Sequence, residues 1–262
     1  MPILKAINRR LIRPWTNEAR RVAAGNLHIP MTITADRLGE FRFRVQNSTE
    51  LGRTLDYGHE MASLAAFLFL LKPEDVVWDI GASVGLFTVH CAARCMKVVA
   101  FEPDPATQGR LQENVSLNGL ADKVIFEACA VGDAKGKLEL ATDGLDGFAP
   151  VLAKGKLGRH QSTVEVPLVT MDDRIKEGLP APTVVKIDIE GAEILALRGG
   201  SKLLSGSARP RLMFVEMHPQ FLPNFNSSST ETERLIESFG YRLLSTQQRA
   251  EQYHLIAVAS AA

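Results

Sequence analysis

The sequence is poor in cysteine, has no excess of either charge and contains no long apolar run, and each shortage removes a class of protein. Three cysteines in 262 residues, Cys91, Cys95 and Cys129, cannot build a disulfide framework, so a reducing, cytoplasmic setting is expected. The Cys91-x-x-x-Cys95 spacing has no second Cys or His pair beside it to complete the about four ligands of a structural zinc site. Thirty basic residues balance thirty acidic ones. A chain so balanced offers no field to a polyanion, so the expected partner is a small molecule and not nucleic acid. The longest largely apolar run, 61–71, has 11 residues, whereas a membrane span needs about 20. It reads as a buried helix, and no transmembrane segment is expected. The N-terminus carries Lys5, Arg9, Arg10, Arg13, Arg20 and Arg21 against Glu18. It lacks the apolar centre of a signal peptide and reads as a solvated basic tail, with surface docking as the alternative.

The composition, 45% apolar and 23% charged, is that of an ordinary globular protein. From residue 76 onward, short β-branched runs alternate with helical stretches, the pattern of a mostly parallel sheet covered on both faces. Strands are expected at 76–80, 97–102, 124–131, 183–189 and 211–217, with helices at 86–94, 106–118 and 194–204. Thr230-x-x-Glu233 reads as a capping box opening a last helix that runs to Phe239-Gly240, and strands at 241–246 and 253–259 should pair antiparallel. The glycine-punctuated stretch 133–170 breaks this rhythm and reads as an insertion, not a separate domain. Residues 1–56 read as a basic segment with an edge hairpin near 41–45, ahead of the main domain at 57–262.

The segment Val76-Val-Trp-Asp79-Ile-Gly81-Ala-Ser-Val-Gly85 takes an apolar strand through a glycine turn into a helix. Gly81 and Gly85 should let backbone approach a ligand, and the helix start offers unpaired N–H groups. The Gly-x-Gly-x-x-Gly fingerprint of a dinucleotide site is absent, which counts against a pyrophosphate and an oxidoreductase. The next strand ends at Glu102, 21 positions after Gly81, where an acid that accepts ribose hydroxyls is expected. Asp104 can cap the following helix and leave Glu102 to the ligand. Together these residues specify an adenosine-like cofactor without pyrophosphate.

On a strand, Lys186, Asp188 and Glu190 share one face, and three charges there must be paired or must open on a cleft at the strand's carboxyl end. Glu193 would fall in the first turn of the next helix, where the dipole favours it, or in the site. Glu216 and His218 share a face of the following strand, so Asp188, Glu216 and His218 could converge. Two roles stay open. A neutral His218 or an ionised Asp188 could be general base, or Asp188, Glu216 and His218 could hold Mg²⁺ or Mn²⁺; the metal-free base is preferred. His59 and Glu60 could close over the cofactor or simply start a helix.

The sequence resembles the class I S-adenosylmethionine-dependent methyltransferases, and among them the FkbM-type family. The resemblance is carried by Val-Val-Trp-Asp79-Ile-Gly81-Ala-Ser-Val-Gly85-Leu-Phe, Ala-Phe-Glu102-Pro-Asp-Pro, Asn114-Val-Ser-Leu-Asn118-Gly, Val185-Lys186-Ile-Asp188-Ile-Glu190-Gly191-Ala-Glu193 and Phe214-Val-Glu216-Met-His218-Pro. Ser83 departs from the asparagine usual in the family. The resemblance implies an α/β, Rossmann-like three-layer sandwich with a seven-stranded, mostly parallel sheet and an antiparallel C-terminal strand. It implies S-adenosyl-L-methionine with Asp79, Gly81 and Gly85 around its amino-acid end, Glu102 on its ribose and the backbone at Cys129 and Ala130 near its adenine; Ala82, Ser83, Pro103 and Asp188 complete the candidate cofactor contacts, and Asp188, His218, Glu216 and Lys186, read above from the residues themselves, are the candidates for the reaction centre. It also implies methyl transfer to a hydroxyl of a sugar, glycoconjugate or natural product; the segments outside the shared motifs, the insertion at 133–170, the N-terminal segment and the loop 219–229 with Phe221, Phe225 and Asn226, are where a sugar-sized acceptor pocket is expected to be shaped. A nucleic-acid methyltransferase and a non-catalytic cofactor-binding module are the alternatives, and a homodimer is left open.

Overall fold

A computed structural model describes residues 30–35, 37–55, 61–146, 151–152, 162–249 and 252–260. The basic N-terminal residues and His59 and Glu60 lie outside these. In chain order the elements are β1 (Met31–Ala35), β2 (Phe41–Val45), α1 (Ser48–Leu55), α2 (Met61–Leu70), β3 (Val76–Ile80), α3 (Leu86–Ala92), β4 (Lys97–Phe101) and α4 (Pro105–Leu117). Then come β5 (Val124–Glu127), β6 (Ala130–Val131), β7 (Gly136–Thr142), β8 (Val151–Leu152), β9 (Ser162–Val169), α5 (Met171–Lys176) and β10 (Val184–Ile187). The chain closes with α6 (Glu193–Gly199), α7 (Ser201–Ser205), β11 (Leu212–Met217), α8 (Ser229–Ser238), β12 (Tyr241–Arg249) and β13 (Gln252–Ala259).

Seven strands form one sheet in the order β12-β13-β11-β10-β3-β4-β5. Only β13 runs against its neighbours, as the class I methyltransferase fold requires. Alternation along each buried strand feeds two cores. Trp78, Ile80, Val185, Ile187, Met213 and Val215 pack with α5, α6 and α8. Val77, Val98, Ala100, Val184, Leu212 and Phe214 pack with α2, α3 and α4. This is the three-layer sandwich, and the order of strands reverses between β3 and β10, whose carboxyl ends therefore open a crevice. Among the described residues no helix is long and apolar enough to cross a membrane.

Three expected elements differ. The run 124–131 is two strands: the chain leaves the main sheet after Glu127, and Ala130–Val131 pairs with β9 in a separate four-stranded sheet ordered β6-β9-β7-β8. The helix expected over 194–204 is two helices, broken where Gly200 leaves helical geometry at φ −105°, ψ 13°; glycine is required there, since a Cβ on Gly199 would stand 1.8 Å from the Gly132 carbonyl oxygen and one on Gly200 2.3 Å from Met171 Cε. The last helix is capped by Ser228, not Thr230: Ser228 Oγ accepts from the Glu231 amide, and Glu231 is the acid of the box.

The β1–β2 hairpin forms its own two-stranded sheet and buries Ile33, Phe43 and Val45 in the core beneath α3 and α4. Asn114 of α4 and Asn118, which caps its C-terminus, hold it. Asn114 Oδ1 accepts from the Arg44 amide at 2.7 Å while its Nδ2 donates to the Val84 carbonyl at 2.8 Å. Asn118 Oδ1 accepts from the Arg42 amide at 2.9 Å. The Asn114…Asn118 motif thus ties the hairpin to the glycine turn.

Candidate active site

A cavity of about 470 Å³ opens at the carboxyl ends of β3, β4, β10 and β11, a size within the roughly 300–1,000 Å³ of small-molecule sites. Its wall brings together Gly81, Ala82, Ser83, Glu102, Pro103, Cys129, Ala130, Lys186, Asp188, Glu216 and His218. Asp79 and Gly85 stand behind that wall.

The turn after β3 is built for contact with protein more than with ligand. Gly81 has φ +83°, and a Cβ there would lie 1.9 Å from the Asp188 carbonyl oxygen. Gly85 has φ +93°, and its Cβ would lie 2.7 Å from Leu111 Cδ1. Ser83 is left-handed at φ +50°, a conformation in which asparagine is enriched, which accounts for the family's usual residue. The Ser83 amide donates to Glu102 Oε2 at 2.8 Å, and the Asp104 amide to Oε1 at 2.9 Å. Asp104 in turn caps α4 by accepting from the Thr107 amide at 2.8 Å. Burial pushes the Glu102 carboxyl up to about 7 against the pull of these amides. A carboxylate offers about four lone-pair positions, so both oxygens can still accept from ligand hydroxyls. A buried acid beside a turn of backbone groups, in a cavity of this volume, fits a ribose-bearing cofactor.

Cys129 and Ala130 reach the cavity because the chain changes sheets there. The Cys129 thiol is pushed up to about 11 by burial and serves as wall, not nucleophile. Asp79 accepts from Thr88 Oγ1 at 2.6 Å and lies 3.3 Å from Lys186 Nζ. Its place is therefore beneath the turn, as support for Lys186.

On the other side, β10 ends at Ile187, so Asp188 and Glu190 leave the strand alternation expected for them. Lys186 Nζ lies 3.2 Å from Asp188 Oδ2 and donates to the Gly81 carbonyl at 3.0 Å, with the Phe87 ring 4.9 Å below. Burial opposes its charge, but Asp188 and Asp79 hold it firmly protonated. The Asp188 carboxyl is depressed by Lys186 and His218, which outweigh its burial. His218 Nδ1 lies 2.8 Å from Glu193 Oε1, and Nε2 lies 3.6 Å from Glu190 Oε2 and 4.0 Å from Asp188 Oδ1. Although burial works against its charge, these carboxylates push His218 up to about 10, so at neutral pH it carries its proton. Glu216 Oε2 lies 3.2 Å from His254 Nε2, and His254 Nδ1 lies 3.1 Å from Ser63 Oγ. Asp188, Glu216 and His218 share the cavity, yet each faces a different partner, and among the described residues no three acids, histidines or cysteines are grouped to hold a metal ion.

Other wall residues are not among those chosen from the sequence. Thr49, Gly52 and Arg53 of α1 line the cavity with Leu140 and Gln252, and Glu190, expected only as a charge at the strand's carboxyl end, joins them. A signal for α1 is present: Asn47 Oδ1 accepts from the Glu50 amide at 2.8 Å, and Glu50 Oε2 accepts from the Gln46 amide at 2.8 Å, a variant of the capping box. Arg53 is lowered by burial against the pull of Glu102, Glu50, Asp104 and Glu190, so its guanidinium sits where the two sides of the cavity meet. Phe221, Phe225 and Asn226 do not line the cavity; Phe225 is buried in the core and Phe221 packs on Gly191 and beside the His218 ring.

A family model described as the methyltransferase FkbM domain matches residues 79–243. The chain is 27% identical over 223 residues to the hexuronic acid methyltransferase AglP of Haloferax volcanii, covering 83% of this chain and 84% of that protein. It is 27% identical over 207 residues to the 31-O-demethyl-FK506 methyltransferase FkbM of Streptomyces tacrolimicus, covering 68% and 76%. A crystal structure of an FkbM methyltransferase from Methylobacillus flagellatus matches with TM-score 0.47 and 16% identity, over 71% of this chain and 44% of that one.

Proposed function

This chain belongs to the FkbM family of methyltransferases, and we propose that it transfers a methyl group from S-adenosylmethionine to a hydroxyl of a small acceptor, a sugar or a natural product. The observation that supports this reading is the single cavity in which the turn at 81–83, Glu102 and the Cys129–Ala130 backbone meet the charged cluster of Asp188, Glu190 and His218. Glu102 would take the ribose hydroxyls, the turn the amino-acid end, and the backbone at Cys129 and Ala130 the adenine. The bound cofactor supplies an electrophilic methyl on sulfonium. Asp188, ionised and fixed by Lys186, would orient the acceptor hydroxyl, and proximity and alignment in the cavity would supply most of the rate. The names of two relatives, a hexuronic acid methyltransferase and a 31-O-demethyl-FK506 methyltransferase, and the balanced charge of this chain favour a small acceptor over nucleic acid. The stretch 133–170, which contributes Leu140 to the wall, would shape its binding.

Calorimetry of EDTA-treated protein with S-adenosylmethionine, S-adenosylhomocysteine and NAD tests the reading. Micromolar binding of the first two and none of NAD is expected. Binding that appears only with added Mg²⁺ would return the divalent-cation mechanism, and no binding at all would remove the methyltransferase reading.

A further inference from the structure

We propose that Glu190 takes the proton of the acceptor hydroxyl, an assignment that rests on the O-methyl-transfer reading above. Among the described residues four carboxylates line the cavity, and three are engaged. Glu102 accepts two backbone amides, Asp188 lies 3.2 Å from Lys186 Nζ, and Glu216 lies 3.2 Å from His254 Nε2. Glu190 makes a looser ion pair, 3.6 Å from His218 Nε2, with its side chain 22% exposed.

The backbone is arranged to deliver it. Glu190 is left-handed at φ +53° and Gly191 follows at φ +98°. A Cβ on Gly191 would stand 2.3 Å from Phe221 Cβ, so the turn is pinned against the loop after β11. Glu193 fixes its far side by accepting from the Gly191 amide at 2.9 Å. A glutamate held left-handed is an unusual conformation that persists only where surrounding structure enforces it, and such positions cluster at active sites. The fold thus turns Glu190 out of the strand pattern and into the cavity opposite His218.

In the transfer, the acceptor oxygen bonds to the methyl carbon as the carbon–sulfur bond breaks, its electron pair staying on sulfur. The O–H bond breaks with its proton going to a Glu190 oxygen. Burial, with Asp188, Glu216 and Glu193 nearby, raises the Glu190 carboxyl to about 7 against the opposing charge of His218; Arg53 faces it from α1. A base matched in this way to neutral pH is favoured for proton transfer over Asp188, whose acidity is increased.

Calorimetry at pH 7 in two buffers of different ionisation enthalpy counts protons released on binding. The sulfonium of S-adenosylmethionine should expel the proton of a nearby half-protonated acid, and neutral S-adenosylhomocysteine should not, so the difference isolates Glu190. About half a proton more is expected for S-adenosylmethionine in the wild type, from half-occupancy at a pKa near 7, and none in Glu190→Gln. Transfer of labelled methyl to glucuronic acid and methyl β-D-glucopyranoside should fall about 100-fold or more in Glu190→Gln, with S-adenosylhomocysteine affinity kept and partial rescue by Glu190→Asp. Retained turnover in Glu190→Gln, or a proton difference that survives the substitution, overturns the assignment and leaves the reaction standing. Failure of the wild type to bind either ligand overturns the reaction and Glu190's part in it.

Discussion

A single carboxylate oxygen, Glu193 Oε1, receives both the Nδ1 edge of His218 at 2.8 Å and the Gly191 amide at 2.9 Å. One buried acid in the first turn of α6 therefore fixes the imidazole and the left-handed turn that carries Glu190. Its position at the helix start, which the dipole favours, and its place in the site are one arrangement and not rival explanations.

Glu193→Gln should lower the His218 pKa from about 10, because the amide keeps the shape and removes the charge that holds the imidazolium. The folded value lies above the ordinary 6.5, so the stability His218 contributes is present in full below pH 6.5 and is lost as pH rises toward 10. Urea unfolding of the wild type should therefore weaken over that window, and the slope should flatten in Glu193→Gln. Nitrogen-15 spectra of the His218 ring give the pKa directly; a value unchanged by the substitution would sink the assignment.

Lys186→Met should be strongly destabilising. Lys186 Nζ lies 3.3 Å from Asp79 Oδ1 and 3.2 Å from Asp188 Oδ2, with the lysine and Asp79 both buried. Removing one partner of a buried pair costs about 3–5 kcal/mol, which in a chain of this size lowers Tm by roughly 6–20 °C. Lys176→Met, which breaks an exposed pair with Asp173, should leave Tm unchanged. Equal melting of the two variants would show that Lys186 has no such role.

The sheet was legible because its strands are apolar on both faces and its glycine turn and strand-end acids mark their carboxyl ends. Most of the cavity wall follows from those ends. What escaped was set by tertiary contacts. The apolar string Val-Ile-Phe-Glu-Ala-Cys-Ala-Val from 124 to 131 carries no local sign that the chain changes sheets after Glu127. Asp79 has the sequence position of a ligand residue, and only the placement of Lys186 beneath the turn claims it for the protein. Glu190 sits in period with Lys186 and Asp188, and its left-handed turn depends on Gly191 packing against Phe221, which is 30 residues away. Arg53 lies on a helix of only eight residues, anchored by the buried 2.5 Å pair of Glu50 with Arg110, a contact 60 residues away in sequence.

Gly81→Ala should be more damaging than Gly85→Ala. Both glycines have positive φ, so alanine is strained at either. At Gly85 the new Cβ meets Leu111 Cδ1, the end of a side chain that can turn away; at Gly81 it meets the Asp188 backbone oxygen at 1.9 Å. Relief at Gly81 requires moving β10 away from β3, which opens the cavity floor. Thermal melting should rank wild type above Gly85→Ala above Gly81→Ala, and Leu111→Val should partly restore Gly85→Ala alone. The reverse ranking would mean that the turn, and not its contact with Asp188, sets the requirement for glycine.

Glu102→Ala should weaken S-adenosylhomocysteine binding by about 1–3 kcal/mol, the cost of leaving buried donors without an acceptor, or about 5- to 150-fold in Kd. The wild type should also show a pH dependence that the variant lacks. Ligand hydroxyls donate more strongly to an ionised carboxylate, and burial holds the Glu102 carboxyl near 7 in the free protein. Binding must then release a proton, so affinity should rise between pH 6 and 8 and level off above. Because this release is common to both cofactor forms, it cancels from the difference used to isolate Glu190. Calorimetry across that range distinguishes the outcomes. A flat profile with unchanged affinity in Glu102→Ala would leave Glu102 as a brace for the Ser83 and Asp104 amides alone, and the ribose would have to be held elsewhere in the cavity.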